Sequence, residues 1–255
     1  MTNKKLAFFG DTKKVMLYDL ENECWTIDVL KGIHDFHYYA AAITLPNGDA
    51  QIIGGGSSTA VYQYTINGEL LPRKPMHQMR KEHSAVINDS IVYVMGGYDG
   101  VQNIFLSSCE MYFVEHNEWK PFAPMNIAKC AFSACVVNKR FIYTFGGYDG
   151  QKRLNAIERY DISAETWELL SLKLRFPLSN CACFSPYTNK VVVFGGGFSS
   201  GFSPHVEMID VETGEWKSLP EMKEGRDLRN KVVYVDGQAY AIGGLNKKSE
   251  RFVLA

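Results

Sequence analysis

The runs IIGGG at 52–56, YVMGG at 93–97, YTFGG at 143–147, VVFGGG at 192–197 and YAIGG at 240–244 each lead an apolar, strand-like segment into two or more glycines. Counted at the second glycine, the steps between them are 42, 50, 49 and 48 residues. A period near fifty marks an array of four-stranded propeller blades, units too small to bury an apolar face alone. The doublets are Gly54-Gly55, Gly96-Gly97, Gly146-Gly147, Gly195-Gly196 and Gly243-Gly244. Glycine lets the chain turn sharply there and pass close to other backbone.

Further residues keep the same frame. Glu110-Met-Tyr112, Glu158-Arg-Tyr160, Glu207-Met-Ile209 and Glu250-Arg-Phe252 follow the doublets, and Trp25, Trp119, Trp167 and Trp216 stand seven residues after Tyr18, Tyr112, Tyr160 and Ile209. Met125 and Met222 come six residues after their tryptophans, and Met76 stands at the same distance from Leu70. Together these elements resemble the kelch repeat: a strand, a strand ending in Gly-Gly, a strand with Glu and Tyr, and a strand opened by Trp. The resemblance covers nearly the whole chain. It implies an all-β kelch propeller with each tryptophan packed between neighbouring sheets.

Laid out strand by strand, the repeat predicts six blades in one domain spanning 1–255: a partial first blade over 1–30, full blades over 31–77, 78–125, 126–173 and 174–222, and a partial last blade over 223–255. In the first, Gly10-Asp11 replaces the doublet and the inner strand is missing; in the last, the tryptophan strand is missing. The two absent strands are consecutive in ring order. The expectation is a chain shorter than its natural unit or a soft seam between first and last blades, open to a partner strand.

Composition fits a large all-β domain of 255 residues with a net charge of −1. Scattered Lys and Arg give no basic stripe, which argues against nucleic acid. The N-terminal apolar run is too short for a signal peptide and no stretch reaches membrane-helix length, so a cytoplasmic protein is expected. Six cysteines at 24, 109, 130, 135, 181 and 183 form no CxxC pair and are expected to be reduced, with Cys181 and Cys183 on one sheet face. Six histidines show no ligand spacing; His34 and His37 with Tyr38 and Tyr39 are the nearest approach to an oxidase set, and His83 is expected near the pore. No metal, cofactor or catalytic group is expected.

Function is therefore expected on a surface. Two loop sets should emerge together, those after the doublets and those before the inner strands. The chain is similar to the kelch domains of Kelch-like ubiquitin-ligase adaptors, and that resemblance implies that tyrosine of GGYDG and arginine before inner strands contact an acidic peptide. Tyr98 and Tyr148 match the tyrosine, and Arg80 and Arg226 the arginine. Lys129 departs, because an ammonium cannot make a planar two-point contact with a carboxylate. With Phe198 these are the expected partner-binding residues; a scaffold in a cytoskeletal or ciliary assembly and a kelch-type metalloenzyme are the alternatives.

Overall fold

The computed structural model describes residues 5–9, 14–19, 22, 24–29, 39–199, 201–228, 232–235, 237–242 and 249–253. Gly243, Gly244, His34, His37 and Gly10-Asp11 lie outside them, as does the side chain of Trp25.

Antiparallel sheets follow one another along the chain. The first holds three strands, β1 (Lys5–Phe9), β2 (Lys14–Asp19) and β3 (Cys24–Val29). The second pairs β4 (Ala41–Thr44), β5 (Ala50–Ile53), β6 (Val61–Tyr64) and β7 (Leu70–Arg73) in chain order. In the third, β8 (Ser84–Asn88) and β9 (Ile91–Met95) are followed by a small hairpin, β10 (Tyr98–Asp99) with β11 (Ile104–Phe105), before β12 (Cys109–Phe113) and β13 (Glu118–Phe122) complete the sheet. The fourth contains β14 (Ser133–Val137), β15 (Phe141–Phe145), β16 (Leu154–Asp161) and the long β17 (Thr166–Leu178). In the fifth, β18 (Ala182–Tyr187) and β19 (Lys190–Phe194) precede a hairpin of β20 (Gly197–Phe198) and β21 (Gly201–Phe202), then β22 (Val206–Asp210) and β23 (Trp216–Leu219). The sixth has three strands, β24 (Val232–Val235), β25 (Gln238–Ile242) and β26 (Ser249–Val253).

The strands ahead of the doublets are apolar without interruption because both of their faces are covered. In β9, Val92 and Val94 point to the second sheet and its Leu45, Ile53 and Val61, while Tyr93 and Met95 point to Ala134 and Ile142 of the fourth. In β19, Val191 and Val193 meet Cys135, Tyr143 and Phe145, and Val192 and Phe194 meet Ala239 and Ala241. This is the two-residue strand period used in both directions. Each fully buried Val or Ile contributes about 1.5–3 kcal/mol, so the joints between sheets are the core.

Those cores fill the joints from the second sheet to the sixth, and the inner strands β4, β8, β14, β18 and β24 touch in that order. The structure thus shows five blades, not the six expected. Among the described residues the N-terminal sheet holds three strands and none in the inner position through which the other five meet.

Main-chain bonds repeat the linkage around the axis. Glu82 N donates to Tyr39 O at 3.1 Å, Ala131 N to Glu82 O at 2.8 Å, Asn180 N to Ala131 O at 2.7 Å and Leu228 N to Asn180 O at 3.0 Å. Tyr39, Glu82, Ala131 and Asn180 reach these bonds with φ of 64°, 54°, 55° and 54°. Asparagine tolerates this left-handed region and alanine does not. Ala131→Asn should therefore raise the melting temperature by about 1–4 °C; differential scanning calorimetry showing no gain would remove backbone strain as a factor here.

Candidate functional site

Between the outer strand of one blade and the inner strand of the next, the chain crosses a joint, and a carboxylate holds three of the described crossings. Glu110 accepts from the backbone N–H of His77 at 2.8 Å and of Gln78 at 3.2 Å, and pairs with Arg80 at 3.0 Å. Arg80 is fully buried and also donates to the carbonyls of Gly96 at 2.7 Å and Ser108 at 2.9 Å. One joint on, Glu158 accepts from Asn126 N at 2.7 Å and Ile127 N at 3.2 Å and pairs with Lys129 Nζ at 2.7 Å. Lys129 adds a bond to Thr144 Oγ1 at 2.9 Å. Burial lowers the Lys129 pKa from its usual value, and the Glu158 carboxylate opposes that shift. Arg226 pairs with Glu250 at 3.3 Å, and Glu250 also accepts from Lys223 N at 3.0 Å.

The fourth crossing is built differently. Gly55, Gly97 and Gly196 donate their N–H groups to the carbonyls of Arg80, Lys129 and Arg226, but Gly147 donates to Leu178. With an apolar residue in the cation's place, Arg175 reaches Glu207 at 3.0 Å from within β17. The glutamates pair across their ladders with Val94, Thr144, Val193 and Ala241; the same place opposite Ile52 is taken by Tyr62. The second sheet therefore carries a tyrosine, not a carboxylate, at this ladder position.

The doublets make the crossings fit. Gly96 has φ +56°, and a Cβ there would lie 2.6 Å from the methyl of Met125 and 2.8 Å from Lys129 O. Met76 and Met222 pack the same way on Gly54 and Gly195, which explains the spacing of methionine from the fourth strand.

Above the crossings the loops after the doublets fold into hairpins. Each is stitched to the crossing beneath it by main-chain bridges, Lys81 with Tyr98, Cys130 with Tyr148 and Ser179 with Gly197. The hairpins pair Tyr98 with Phe105, Tyr148 with Arg153 and Gly197 with Phe202. Asp99 and Asp149 close their turns by accepting two backbone N–H groups each. The Phe105 ring lies 5.0 Å from that of Tyr98 and 5.7 Å from that of Tyr148, so an aromatic strip bridges two blades. Val101 at 65 % and Ile104 at 42 % exposure stand beside it in open solvent.

A family model described as the Kelch motif matches residues 79–126, 128–171 and 180–223, together more than half of the chain. The chain belongs to the kelch-repeat family. It is 27 % identical over 165 residues to Kelch-like protein 40 of Xenopus tropicalis, covering 64 % of this chain and 26 % of that protein. Kelch-like protein 25 of Homo sapiens is 31 % identical over 156 residues, covering 57 % and 26 %. Kelch-like protein 41a of Danio rerio is 25 % identical over 262 residues, covering 97 % and 42 %. The chain thus spans less than half the length of these curated relatives.

On this kelch propeller, two of the expected partner-binding residues, Tyr98 and Tyr148, lie half-exposed on the strip. Arg80, Lys129 and Arg226 do not. Their side chains are buried in the ion pairs that hold the crossings. Phe198 is displaced by one place, because the third glycine of 195–197 occupies the tyrosine position and puts Phe198 level with Asp99 and Asp149. The sequence reading passed over Phe105, Arg153 and Phe202. Their signal is pairing: each sits across a short turn from a doublet-following residue, as antiparallel hairpins demand.

The kelch tryptophans behave as joints. Trp119 Nε1 donates to Lys74 O at 2.7 Å and Trp167 Nε1 to Ala123 O at 2.8 Å, each reaching the preceding blade. Trp216 is half-buried and faces Arg175 at 6.0 Å.

His83, just before the inner strand β8, packs between doublets, its Cβ 2.9 Å and its Cε1 3.2 Å from where side chains of Gly97 and Gly54 would begin. Burial, then the Arg80 charge, lowers its pKa to about 3. Cys181 is buried and Cys183 half-buried against the same core, as their spacing predicted. Burial pushes the Cys109 and Cys181 thiols up to about 12 and raises those of Cys130 and Cys183 as well, which leaves little thiolate for redox chemistry at neutral pH. Among the described residues no three His, Cys, Asp or Glu side chains are grouped to hold a metal, and no helix is long and apolar enough to cross a membrane.

Proposed function

We propose that this kelch propeller is a non-catalytic cytoplasmic module that binds a partner protein or peptide through its loop face, on Tyr98, Phe105 and Tyr148, with Phe198 at the flank. The aromatic strip carries this reading. Three rings project from hairpins pinned to the crossings, so they are held before any partner arrives and lose little freedom on binding. Aromatic side chains on such a platform are favoured interface anchors. Arg80, Lys129 and Arg226 act beneath, by fixing the crossings that carry the hairpins. The names of the Kelch-like relatives are in keeping with an adaptor role, and six unpaired thiols support a reducing compartment.

The test is affinity capture with quantitative mass spectrometry, using the parent and a Phe105→Ala/Tyr148→Ala variant. A specific partner should be retained about 30-fold less well by the variant, since losing anchor residues costs about 2 kcal/mol or more. Its melting temperature should stay within a few degrees. Equal capture would remove this face from consideration.

A second reading rests on β26. It pairs only with β25 among the described residues, and an open sheet edge accepts an added strand from a scaffold or other partner. Capture that survives the loop variant and is lost on Arg251→Pro would favour it.

A further inference from the structure

We propose that Cys135 and Cys183 close into a reversible disulfide that locks the joint between the fourth and fifth sheets. The inner strands of that joint, β14 and β18, are tied at their start, where Asn180 N donates to Ala131 O at 2.7 Å. Just beyond the tie, Ser133 Oγ and Cys181 Sγ stand 3.2 Å apart across the joint. Side chains two residues on return to the same face of a strand. Two steps further along both strands come Cys135 and Cys183, whose thiols share a hydrogen bond within one apolar cluster. Cys135 is 6 % exposed and Cys183 is half-buried. The other thiols of the inner cores are engaged elsewhere, Cys109 with Ser107 O at 3.3 Å, Cys130 with Glu82 at 3.2 Å and Cys181 with Phe145 O at 3.7 Å.

The position gives the pair a task. The two preceding crossings are held by the buried pairs of Arg80 and Lys129, whereas here Leu178 takes the cation's place and the ion pair is the more exposed Arg175–Glu207. A covalent link between the inner strands supplies what this crossing lacks. The oxidant is a hydroperoxide. The Cys183 thiolate, at the more open of the two sites and favoured by a hydrogen bond from Ser133, attacks one peroxide oxygen. The O–O bond breaks, Cys183 becomes a sulfenic acid, and the leaving hydroxide takes the proton that Cys183 released. The Cys135 sulfur then attacks the Cys183 sulfur; the S–S bond forms, the S–O bond breaks, and the hydroxyl leaves with the Cys135 proton as water. Two thiols are oxidised by two electrons, and hydrogen peroxide is reduced to two waters. Burial keeps the thiolate scarce at neutral pH, so the link closes slowly and faster as pH rises.

The test is to treat the whole chain with hydrogen peroxide, isolate the monomer, digest it without reduction and assign linked peptides by fragment ions. Exposed Cys24 reports that the oxidant has acted. A Cys135–Cys183 link is expected, retained in Cys130→Ala and in Cys181→Ala, whose cysteines share the same tryptic peptides, and lost in Cys183→Ala. The oxidised monomer should melt about 5–15 °C above the reduced one, as expected for a disulfide closing a long loop, and dithiothreitol should reverse the rise. Cys183→Ala treated in the same way should show no rise. Free Cys135 and Cys183 after Cys24 is oxidised, a link made through Cys130 or Cys181 instead, or a Cys135–Cys183 link that leaves the melting temperature unchanged would each overturn the proposal.

Discussion

Lys129→Ala is expected to lower the melting temperature by about 6–20 °C, through a loss of about 3–5 kcal/mol. The reason lies in what is left behind. Lys129 and Glu158 are both without exposed surface at 2.7 Å, and removing the cation strands a carboxylate where water does not reach it. Glu158 also holds the N–H groups of Asn126 and Ile127, so a carboxylate that protonates or moves loosens the crossing between the third and fourth sheets. Lys129→Met should cost nearly as much as alanine, since it fills the space but not the charge. Lys129→Arg should recover most of the loss, because Arg80 and Arg226 perform the same task at sister joints. An alanine variant melting within 2 °C of the parent, or an arginine variant no better than alanine, would show that the pair does not hold the joint. At an exposed pair such as Lys139–Asp89 the same experiment should barely move the melting temperature, because solvent screens both charges.

How much of this was legible in the sequence depends on whether a residue's job is set by neighbours in the chain or across a joint. The doublets and the Glu and Trp frame are local signals, and each marks a place in a blade, as Gly96, Glu110 and Trp119 show. The blade count is not local. The strands of the N-terminal sheet are readable one by one, but the blades meet through contacts between inner strands, which the spacing of the repeat does not show. The arginine position shows the same limit from another side. A cation before an inner strand reads as a loop charge, whereas folding brings Glu110 or Glu158 from some thirty residues away to bury it. The visible half of the site, Tyr98 and Tyr148, follows a doublet directly. The hidden half, Phe105 and Arg153, depends on the length of each hairpin, which the repeat pattern leaves free.

His83→Phe should stabilise the propeller, and by more in acid than at neutral pH. In the repeat, His83 occupies the place held by Phe132 and Cys181 in the next two blades, so an apolar side chain is accommodated there. Both ring nitrogens of His83 are buried without a hydrogen-bond partner. Removing them should yield about 1 kcal/mol at pH 7.5, the lower part of the range for an unsatisfied buried group. The pH term adds to this with a definite sign. The folded pKa is about 3 against 6.5 for an ordinary histidine, so between those values the unfolded chain binds the extra proton. Stability is fully present above pH 6.5 and is lost as pH falls towards 3. At pH 5 the loss from this one residue is about 2 kcal/mol, at 1.36 kcal/mol per pH unit. Urea denaturation at pH 7.5 and pH 5.0 measures it: the parent should lose about 2 kcal/mol more than His83→Phe over that interval, with the slope against urea unchanged. Identical pH dependence in the two proteins would mean that the imidazole takes up its proton in the folded state. The burial of His83 beneath Arg80 would then not exclude charge from this joint.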